Sequence, residues 1–269
     1  MKLFFCLYAI GIIGSFPALW AKKPNVLFIM ADDLGWMDLA CQGNPLVETP
    51  NLDRLAKQGM RFTDAYAAAP VCSPTRCAVL TGQAPARIGL TTHLPGLFFP
   101  KDGRPQPAKL TPQLNTEHLT IAERMKEAGY ASAFLGKWHI APSSGKGGKV
   151  AGPVSPTGQG FDLNLGGTSY GGPPSFFSPY RNAELPDGPE GEYLPDRLVD
   201  ETIRFAEANK DRPWMAHLWF YTVHWPMQAP KELLEKYAGR KGPGLNDTRY
   251  GAMIEAMDLA IGRLVKALK

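Results

Sequence analysis

Continuous apolar runs alternate along the chain with segments that carry helical signals. Three runs, at residues 25–31, 130–135 and 214–222, lack the polar alternation of half-exposed strands and predict buried strands. Helical spacing or end signals predict helices at 49–58, 120–128, 195–208 and 250–268. Strands that alternate with helices indicate an α/β protein with a largely parallel sheet.

Capping residues mark the ends of two of these helices. Thr49-Pro50 precedes the first predicted helix, and Gly59 follows it. Thr120 and Glu123 form a capping-box pattern, and Gly129 lies at the other end of that helix. These signals support the boundaries drawn from the apolar pattern.

Two long irregular stretches separate the predicted elements, at 94–114 and 143–195, and the second is rich in Gly, Pro and Ser. Long irregular segments inside a compact domain are uncommon and are often functional. We therefore expect both to be surface loops that shape a substrate cleft.

The first 21 residues have the composition of an export signal. Lys2 supplies a positive charge, residues 3–16 form an apolar run, and Ala21 ends the segment. We expect a cleaved signal peptide at 1–21, a catalytic domain at 22–269, and export to the periplasm or the extracellular space. The alternative is an uncleaved membrane anchor, but the run is short for a span, and we expect no stable membrane span elsewhere.

Composition narrows the class of partner. The 269 residues are 44% hydrophobic and 20% charged, as in ordinary globular proteins. A formal net charge of +4 is too small to indicate nucleic-acid binding, and no zinc-finger spacing or basic helix occurs. We therefore expect no nucleic-acid partner.

Polar clusters follow each of the three predicted strands: Asp32-Asp33, then 136–139, then 224–226. In open α/β sheets, ligands bind beyond the carboxyl ends of the strands. Adjacent carboxylates repel unless a cation or proton lies between them, and oxygen ligands suit Ca²⁺ or Mg²⁺. The alternative for Asp32-Asp33 is a turn or helix cap in which one carboxylate is solvated.

The segment that begins at Cys72 carries a second candidate chemistry. Cys41, Cys72 and Cys77 are an odd number of cysteines for an exported chain, which suggests a thiol with its own function. Pro74 permits a helix start, so Cys72 would lie near a helix N-terminus that favours anions, with Arg76 one turn further on the same side. The alternative is an inert buried thiol beside a solvated arginine.

Three more side chains are candidates with ordinary alternatives. Lys137 and His139 are two positions apart, so on an extended segment they face the same side. They could equally be a surface lysine and a packed histidine, and His224 could be a hydrogen-bonded histidine at a strand end. His93 and His118 are interpreted as structural.

Residues 72–82 read Cys-X-Pro-X-Arg followed by X-X-X-Leu-Thr-Gly, which resembles the signature of the sulfatase family; Thr75 stands where serine is most frequent. Other segments that resemble the family occur in order at 25–35, 49–56, 136–139 and 224–226. The resemblance covers residues 24 to 269 and is greatest to arylsulfatase A-like bacterial members. It implies an alkaline-phosphatase-like fold, with a mostly parallel sheet sandwiched by helices.

The resemblance also implies a chemistry for each candidate. Cys72 would be oxidised during export to formylglycine (3-oxoalanine) by a formylglycine-generating maturation enzyme, and its hydrate would be both nucleophile and metal ligand. By the same resemblance, Asp32 and Asp33 would bind Ca²⁺, with Mg²⁺ possible. Arg76, Lys137 and His139 would contact the hydrate or the sulfate. His224 would protonate the leaving oxygen.

The resulting prediction is hydrolysis of a carbohydrate or aryl sulfate ester. Alternatives are a phosphodiester or phosphonate hydrolase of the same superfamily, and a non-catalytic relative that binds anions. The family's later Asp-Asn metal ligands have no counterpart, since no Ser-Asp-Asn-Gly segment occurs. We therefore expect the C-terminal part to be missing and the chain alone to bind metal weakly and turn over slowly.

Overall fold

A four-stranded parallel sheet organises the computed structural model, which describes residues 22–96 and 108–269. The strands are β1 (Val26–Met30), β2 (Ala131–Gly136), β3 (Leu163–Leu165) and β4 (Trp214–Trp219), in the spatial order β1-β4-β2-β3. Every pairing is parallel. The predicted α/β class is confirmed, while the proposed signal peptide at 1–21 lies outside the described residues.

Seven helices of the described residues surround the sheet: α1 (Pro50–Gln58), α2 (Cys72–Thr81), α3 (Pro85–Ile88), α4 (Ile121–Glu127), α5 (Leu194–Ala208), α6 (Lys231–Tyr237) and α7 (Thr248–Ala267). Short 3-10 turns occupy Ala40–Gln42, Lys146–Gly148 and Gly152–Val154. The capping box at Thr120 is present, since its hydroxyl accepts the Glu123 N–H and the Glu123 carboxylate accepts the Thr120 N–H. No helix in the described ranges is both long and apolar enough to cross a membrane.

Side chains of β4 alternate between two apolar layers because successive residues of a strand point to opposite faces. Ala216 and Leu218 belong to the layer that includes buried residues of α5 and α7. Met215 and Trp219 belong to the other, with buried residues of α2 and α4. Helices therefore cover both faces, and β4 is buried along its whole length.

Gly136 ends β2 with a close backbone approach. Its φ of +104° is in the region that favours glycine, and a Cβ there would overlap the carbonyl oxygen of Trp219. The same carbonyl accepts the N–H of Lys137 at 2.8 Å. The chain after β2 is thereby tied to the end of β4, which fixes Lys137 at the carboxyl edge of the sheet.

Helix α1 takes its N-terminal cap from a distant helix. The hydroxyl of Thr49 donates to the Asp53 carboxylate at 2.9 Å and does not cap the helix. Instead, the fully buried carboxylate of Asp258 in α7 accepts the N–H groups of Asn51 and Leu52, at 3.1 Å and 2.7 Å. The first turn of α1 is thus satisfied by a tertiary contact.

Three sequence expectations about the elements are wrong. The segment 143–195 is not simply a surface loop, because it contributes β3 and buries Phe161, Phe176 and Tyr180 in the core. The third predicted strand ends at Trp219 and not at residue 222, and α6 was not predicted. Of the other expected loop, 94–114, only a part belongs to the described residues.

Candidate active site

Asp32 is the buried centre of the site, directly after β1. Its backbone continues the pairing between β1 and the chain after β4. The N–H of Asp32 donates to the Thr222 carbonyl, and the Asp32 carbonyl accepts the N–H of Val223. One carboxylate oxygen accepts from Arg76 Nη2 at 2.8 Å, and the other accepts from Lys137 Nζ. Burial opposes ionisation, but the charges and hydrogen bonds of both cations outweigh it and hold the pKa of Asp32 below its usual range.

Arg76 joins the α2 helix to both strand ends. Its side chain is 1% exposed, and Nη1 donates to the carbonyl of Lys137 at 2.7 Å. The guanidinium carbon lies 5.2 Å from the centroid of the Trp219 ring. A solvated arginine, which was the alternative interpretation of this motif, is therefore excluded; in the structure Arg76 holds Asp32.

Cys72 is the first residue of α2, and its sulfur faces a cation. Val71 precedes it with extended backbone and caps no helical N–H with its side chain. Lys137 Nζ lies 3.2 Å from Cys72 Sγ. The helix N-terminus and the ammonium both favour an anion bound next to residue 72. By contrast, burial raises the pKa of Cys77 to about 12, so that thiol stays protonated at neutral pH.

Asp33 and His224 lie on the open side of the site. Asp33 has a φ of +58° and a half-exposed carboxylate whose Oδ2 is 3.6 Å from His224 Nε2. His224 Nδ1 lies 2.7 Å from the carbonyl oxygen of Trp225. Because a carbonyl can only accept, Nδ1 carries the proton in this arrangement, which leaves Nε2 directed at the site.

His139 forms part of the wall and not of the charged centre. Its φ is +52°, so the premise of an extended segment at 137–139 is wrong. Nε2 lies 2.7 Å from the Leu94 carbonyl, and Nδ1 is buried with no hydrogen-bond partner among the residues that the structure describes. Burial, reinforced by the charge of Lys137, lowers the pKa of His139 to about 4, which keeps the ring neutral at pH 7.

Ser73 is a positioning residue that the sequence analysis missed. Its hydroxyl donates to the carbonyl of His139 at 2.7 Å and accepts the N–H of Leu94 at 3.0 Å. It is fully buried and so links the start of α2 to the histidine wall. Its place next to Cys72 was the only signal available in the sequence.

Two cavities meet at Cys72. The first is about 260 Å³ and lies against Asp32, Asp33, Arg76 and the segment before α2. The second is about 500 Å³, and its wall includes His93, Leu94, Pro95, His139, Ser169, Tyr170, Gly171, Gly172 and His224. His93, interpreted from sequence as structural, therefore faces the site, whereas His118 lies elsewhere, beside Gln83. Six of the seven candidate residues line one or both of these cavities, and the seventh, Lys137, contacts Asp32 and Cys72.

A divalent cation fits the donor set in part. Ligand atoms of Asp32, Cys72 and His224 lie within 4.8 Å of one another, and Asp33 adds a carboxylate at the mouth. Hard cations such as Ca²⁺ take six to eight oxygens, more than Asp32, Asp33 and an oxygen on residue 72 provide. Both carboxylate oxygens of Asp32 already accept hydrogen bonds, one from Arg76 and the other from Lys137. The described residues could thus provide only some of the ligands that such a cation takes.

A cysteine, two cationic side chains and two carboxylates thus lie together at the carboxyl edge of a parallel sheet, which is where open α/β sheets bind ligands. The family model for sulfatases matches residues 24–269, and the chain belongs to the sulfatase family. The resemblance seen in the sequence is therefore confirmed.

Individual relatives agree with this family. The chain is 33% identical to N-acetylgalactosamine-6-sulfatase of Sus scrofa, over 97% of this chain and 48% of that protein. It is 32% identical to human arylsulfatase A, over 92% of this chain and 49% of that protein. The chain spans about half the length of the curated relatives it matches.

A solved structure shows the same fold. The crystal structure of Ps i-CgsB in complex with k-i-k-neocarrahexaose superposes with a TM-score of 0.72 at 29% identity, over 92% of this chain and 55% of that chain. The sulfatase fold that the sequence implied is thus confirmed for this chain. The roles of the individual site residues stay predictions.

Proposed function

We propose that the protein containing this chain is a sulfuric ester hydrolase whose nucleophile is residue 72, after oxidation of Cys72 to formylglycine. The observation that carries the proposal is the contact between Lys137 Nζ and Cys72 Sγ, 3.2 Å, with Lys137 also bound to Asp32. A cation held by a buried carboxylate cannot swing into solvent. It is therefore a preorganised partner for an anion that reaches residue 72.

The charges of the site suit a singly charged ester. Arg76 and Lys137 carry positive charge, and Asp32 neutralises part of it. A sulfate monoester brings one negative charge, and further charge builds on the departing oxygen during cleavage. When bound by Asp32 and Asp33, Ca²⁺, or Mg²⁺, would neutralise sulfate charge and acidify the attacking hydroxyl.

Formylglycine suits this position because its hydrate carries two hydroxyls on one carbon. One hydroxyl attacks sulfur, and deprotonation of the other expels sulfate and restores the aldehyde. An ordinary serine would be left as a sulfate ester that hydrolyses slowly. Residue 72 lies at the opening of both cavities, where an ester can approach the hydrate.

His224 is the group placed to protonate the leaving oxygen. The Trp225 carbonyl fixes the proton on Nδ1, and Nε2 faces the second cavity beside Asp33. In the doubly protonated form of the ring, Nε2 is a donor that would protonate the leaving oxygen. His139 is neutral, and we propose that it lines the sulfate pocket.

A carbohydrate sulfate is the proposed substrate class, with an aryl sulfate as a simpler surrogate. One relative is named for a sulfated amino sugar, and the superposed crystal structure holds an oligosaccharide. We further propose that residues 22–269 function after export to the periplasm or the extracellular space, where a maturation enzyme has modified Cys72.

The mass of the peptide that contains residue 72 tests the modification. The natural-length protein is isolated from a host that matures sulfatases, and conversion of thiol to aldehyde lowers the mass by about 18 Da. Cys41→Ala is the matched control, because Cys41 is a partly exposed thiol outside both cavities. It should keep both the mass shift and turnover, whereas Cys72→Ala should lose both.

Release of sulfate tests the reaction itself. The matured protein is assayed with an aryl sulfate, a sulfated N-acetylgalactosamine and the corresponding phosphate esters. Sulfate release that disappears in Cys72→Ala supports the proposal. Faster cleavage of the phosphate esters would replace it with a phosphoester hydrolase, and a modified protein without turnover on any ester would favour an anion-binding relative.

A further inference from the structure

Two consecutive glycines, Gly171 and Gly172, form the part of the second cavity wall that faces the site histidines. Neither glycine has the positive φ that would require glycine for backbone reasons. The reason for their small size must therefore lie in what a side chain would touch. In both cases the nearest atoms include those of an imidazole of the site, and for Gly172 they also include the Trp225 carbonyl oxygen.

A Cβ on Gly171 would lie against the ring of His139. The three nearest atoms are Cε1 at 2.8 Å, Nε2 at 3.1 Å and Nδ1 at 3.4 Å of that ring. The ring cannot retreat freely, because its Nε2 bonds to the Leu94 carbonyl at 2.7 Å. An alanine would push the imidazole away from that carbonyl.

A Cβ on Gly172 would enter the hydrogen bond that orients His224. It would lie 2.7 Å from His224 Nδ1 and 2.7 Å from the Trp225 carbonyl oxygen, the two atoms of that bond. An alanine would therefore separate the proton on Nδ1 from its acceptor. This is the contact that directs Nε2 towards the site.

The segment that carries the glycines is anchored and cannot simply shift outward. On one side, the Thr168 carbonyl accepts the N–H of His139 at 3.0 Å, and Ser169 N–H donates to Gly148 at 2.9 Å. On the other side, Phe176 N–H donates to Gln228 at 2.8 Å. An added methyl group would thus displace the rings in preference to the backbone.

We propose that Gly171 and Gly172 are positioning residues: they leave the space in which the imidazoles of His139 and His224 are held, and so set how the leaving group is protonated. The inference rests on the proposed function for the roles of the two histidines. Its first test needs no turnover, so that its failure and that of the proposed function can be told apart.

The first test measures the chemical shifts of the imidazole rings of His139 and His224 by NMR in the 269-residue chain. Gly171→Ala should shift the ring resonances of His139, and Gly172→Ala those of His224. Gly239→Ala is the matched control, because Gly239 is an exposed glycine without positive φ and with no atom near its Cβ position. Ring resonances that move no more than in the control would overturn the proposal.

A double-mutant cycle gives an answer even if a single variant folds poorly. Gly171→Ala should lower the melting temperature by more than about 4 °C in the wild-type background. In a His139→Ala background it should cost much less, because the three nearest atoms, all of the His139 ring, have been removed. Gly172→Ala should stay costly in a His224→Ala background, because the Trp225 carbonyl remains. An equal cost of Gly171→Ala in both backgrounds would contradict the mechanism.

Turnover of the matured, natural-length protein adds a chemical readout. Loss of an oriented proton donor matters most for a poor leaving group, so Gly172→Ala should slow kcat for a sugar sulfate by about tenfold or more. For a nitrophenyl sulfate, whose leaving group needs little protonation, the loss should be less than about threefold. Equal losses on the two esters would rule out a role in proton donation.

Discussion

Removal of the Asp258 carboxylate should weaken the junction between α1 and α7. This fully buried group accepts the backbone N–H groups of Asn51 and Leu52 and the side-chain amide of Asn51, at 2.7–3.2 Å. Asp258→Ala would leave these donors without an acceptor at the first turn of α1. Thr49 cannot replace it, because its hydroxyl is bonded to Asp53.

The expected loss follows from the groups left unpaired. A buried donor without a partner costs about 1–3 kcal/mol, and a lost helix cap about 1 kcal/mol, so Asp258→Ala should lower the free energy of unfolding by about 2–4 kcal/mol. Burial raises the pKa of Asp258, which means that the fold gains little from its charge. Asp258→Asn keeps one oxygen acceptor and should therefore cost about 1–2 kcal/mol.

Urea unfolding of the two variants, followed by circular dichroism, measures these differences. Asp247→Ala is the comparison, because Asp247 caps α7 through the Arg249 N–H on the partly exposed surface and should cost only about 0.5–1 kcal/mol. The expected order of loss is Asp258→Ala, then Asp258→Asn, then Asp247→Ala. An Asp258→Ala variant as stable as Asp247→Ala would refute the tertiary cap.

Three further outcomes can be measured by the same unfolding experiments. Burial lowers the pKa of His217 to about 4 from its ordinary 6.5. The unfolded chain therefore takes up the proton first, and the free energy of unfolding falls as the pH drops from 6.5 to 4. His217→Phe should reduce that slope by about 1.4 kcal/mol per pH unit. Gly136→Ala should abolish cooperative unfolding because its Cβ overlaps a neighbouring carbonyl, whereas Gly82→Ala, with φ +67° but open space, should cost only about 1–2 kcal/mol. Lys137→Met leaves the buried Asp32 carboxylate with Arg76 as its one cationic partner and should lower the free energy of unfolding by about 3–5 kcal/mol. Lys231→Met, at an exposed ion pair, should lower it by less than about 1 kcal/mol. Equal losses would contradict a stabilising role of the buried pair.

The elements that sequence predicted well are those whose signals are local. The capping box at Thr120 and Glu123 lies within four residues, and both of its hydrogen bonds are present. The apolar run before Asp32 fixed β1 almost to the residue. Local signals succeed because hydrogen bonding and burial of these segments are decided by near neighbours.

The errors fall where a distant contact decides the conformation. Segment 143–195 is rich in Gly and Pro, yet its aromatic side chains are buried by parts of the chain far away in sequence. Only three residues, Leu163–Leu165, pair with β2, too few to give a pattern of alternating burial. Composition predicted a loop, and tertiary packing placed much of it in the core.

The site shows the same division. The sequence analysis placed Asp32, Lys137 and His224 at one edge of the sheet because their clusters follow parallel strands, and the structure brings them together there; their roles stay predictions. The sequence could not show that Asp32 is shared by Arg76 and Lys137, since that contact joins residues 44 and 105 positions apart. Arg76 was expected to hold the hydrate, but in this structure its guanidinium donates to the buried carboxylate of Asp32.

The strand order has a consequence for how the chain folds as it is made. β1 pairs with β4, and the Asn25 side chain accepts the Trp214 N–H across 189 positions of sequence. The apolar strand β1 therefore has no partner until more than two hundred residues have been synthesised, whereas β2 and β3 can meet early. Contacts of such long range slow folding and leave β1 exposed to aggregation or to chaperones in the meantime. The order of the strands thus makes the pairing of β1 with β4 a late event in the folding of this sheet.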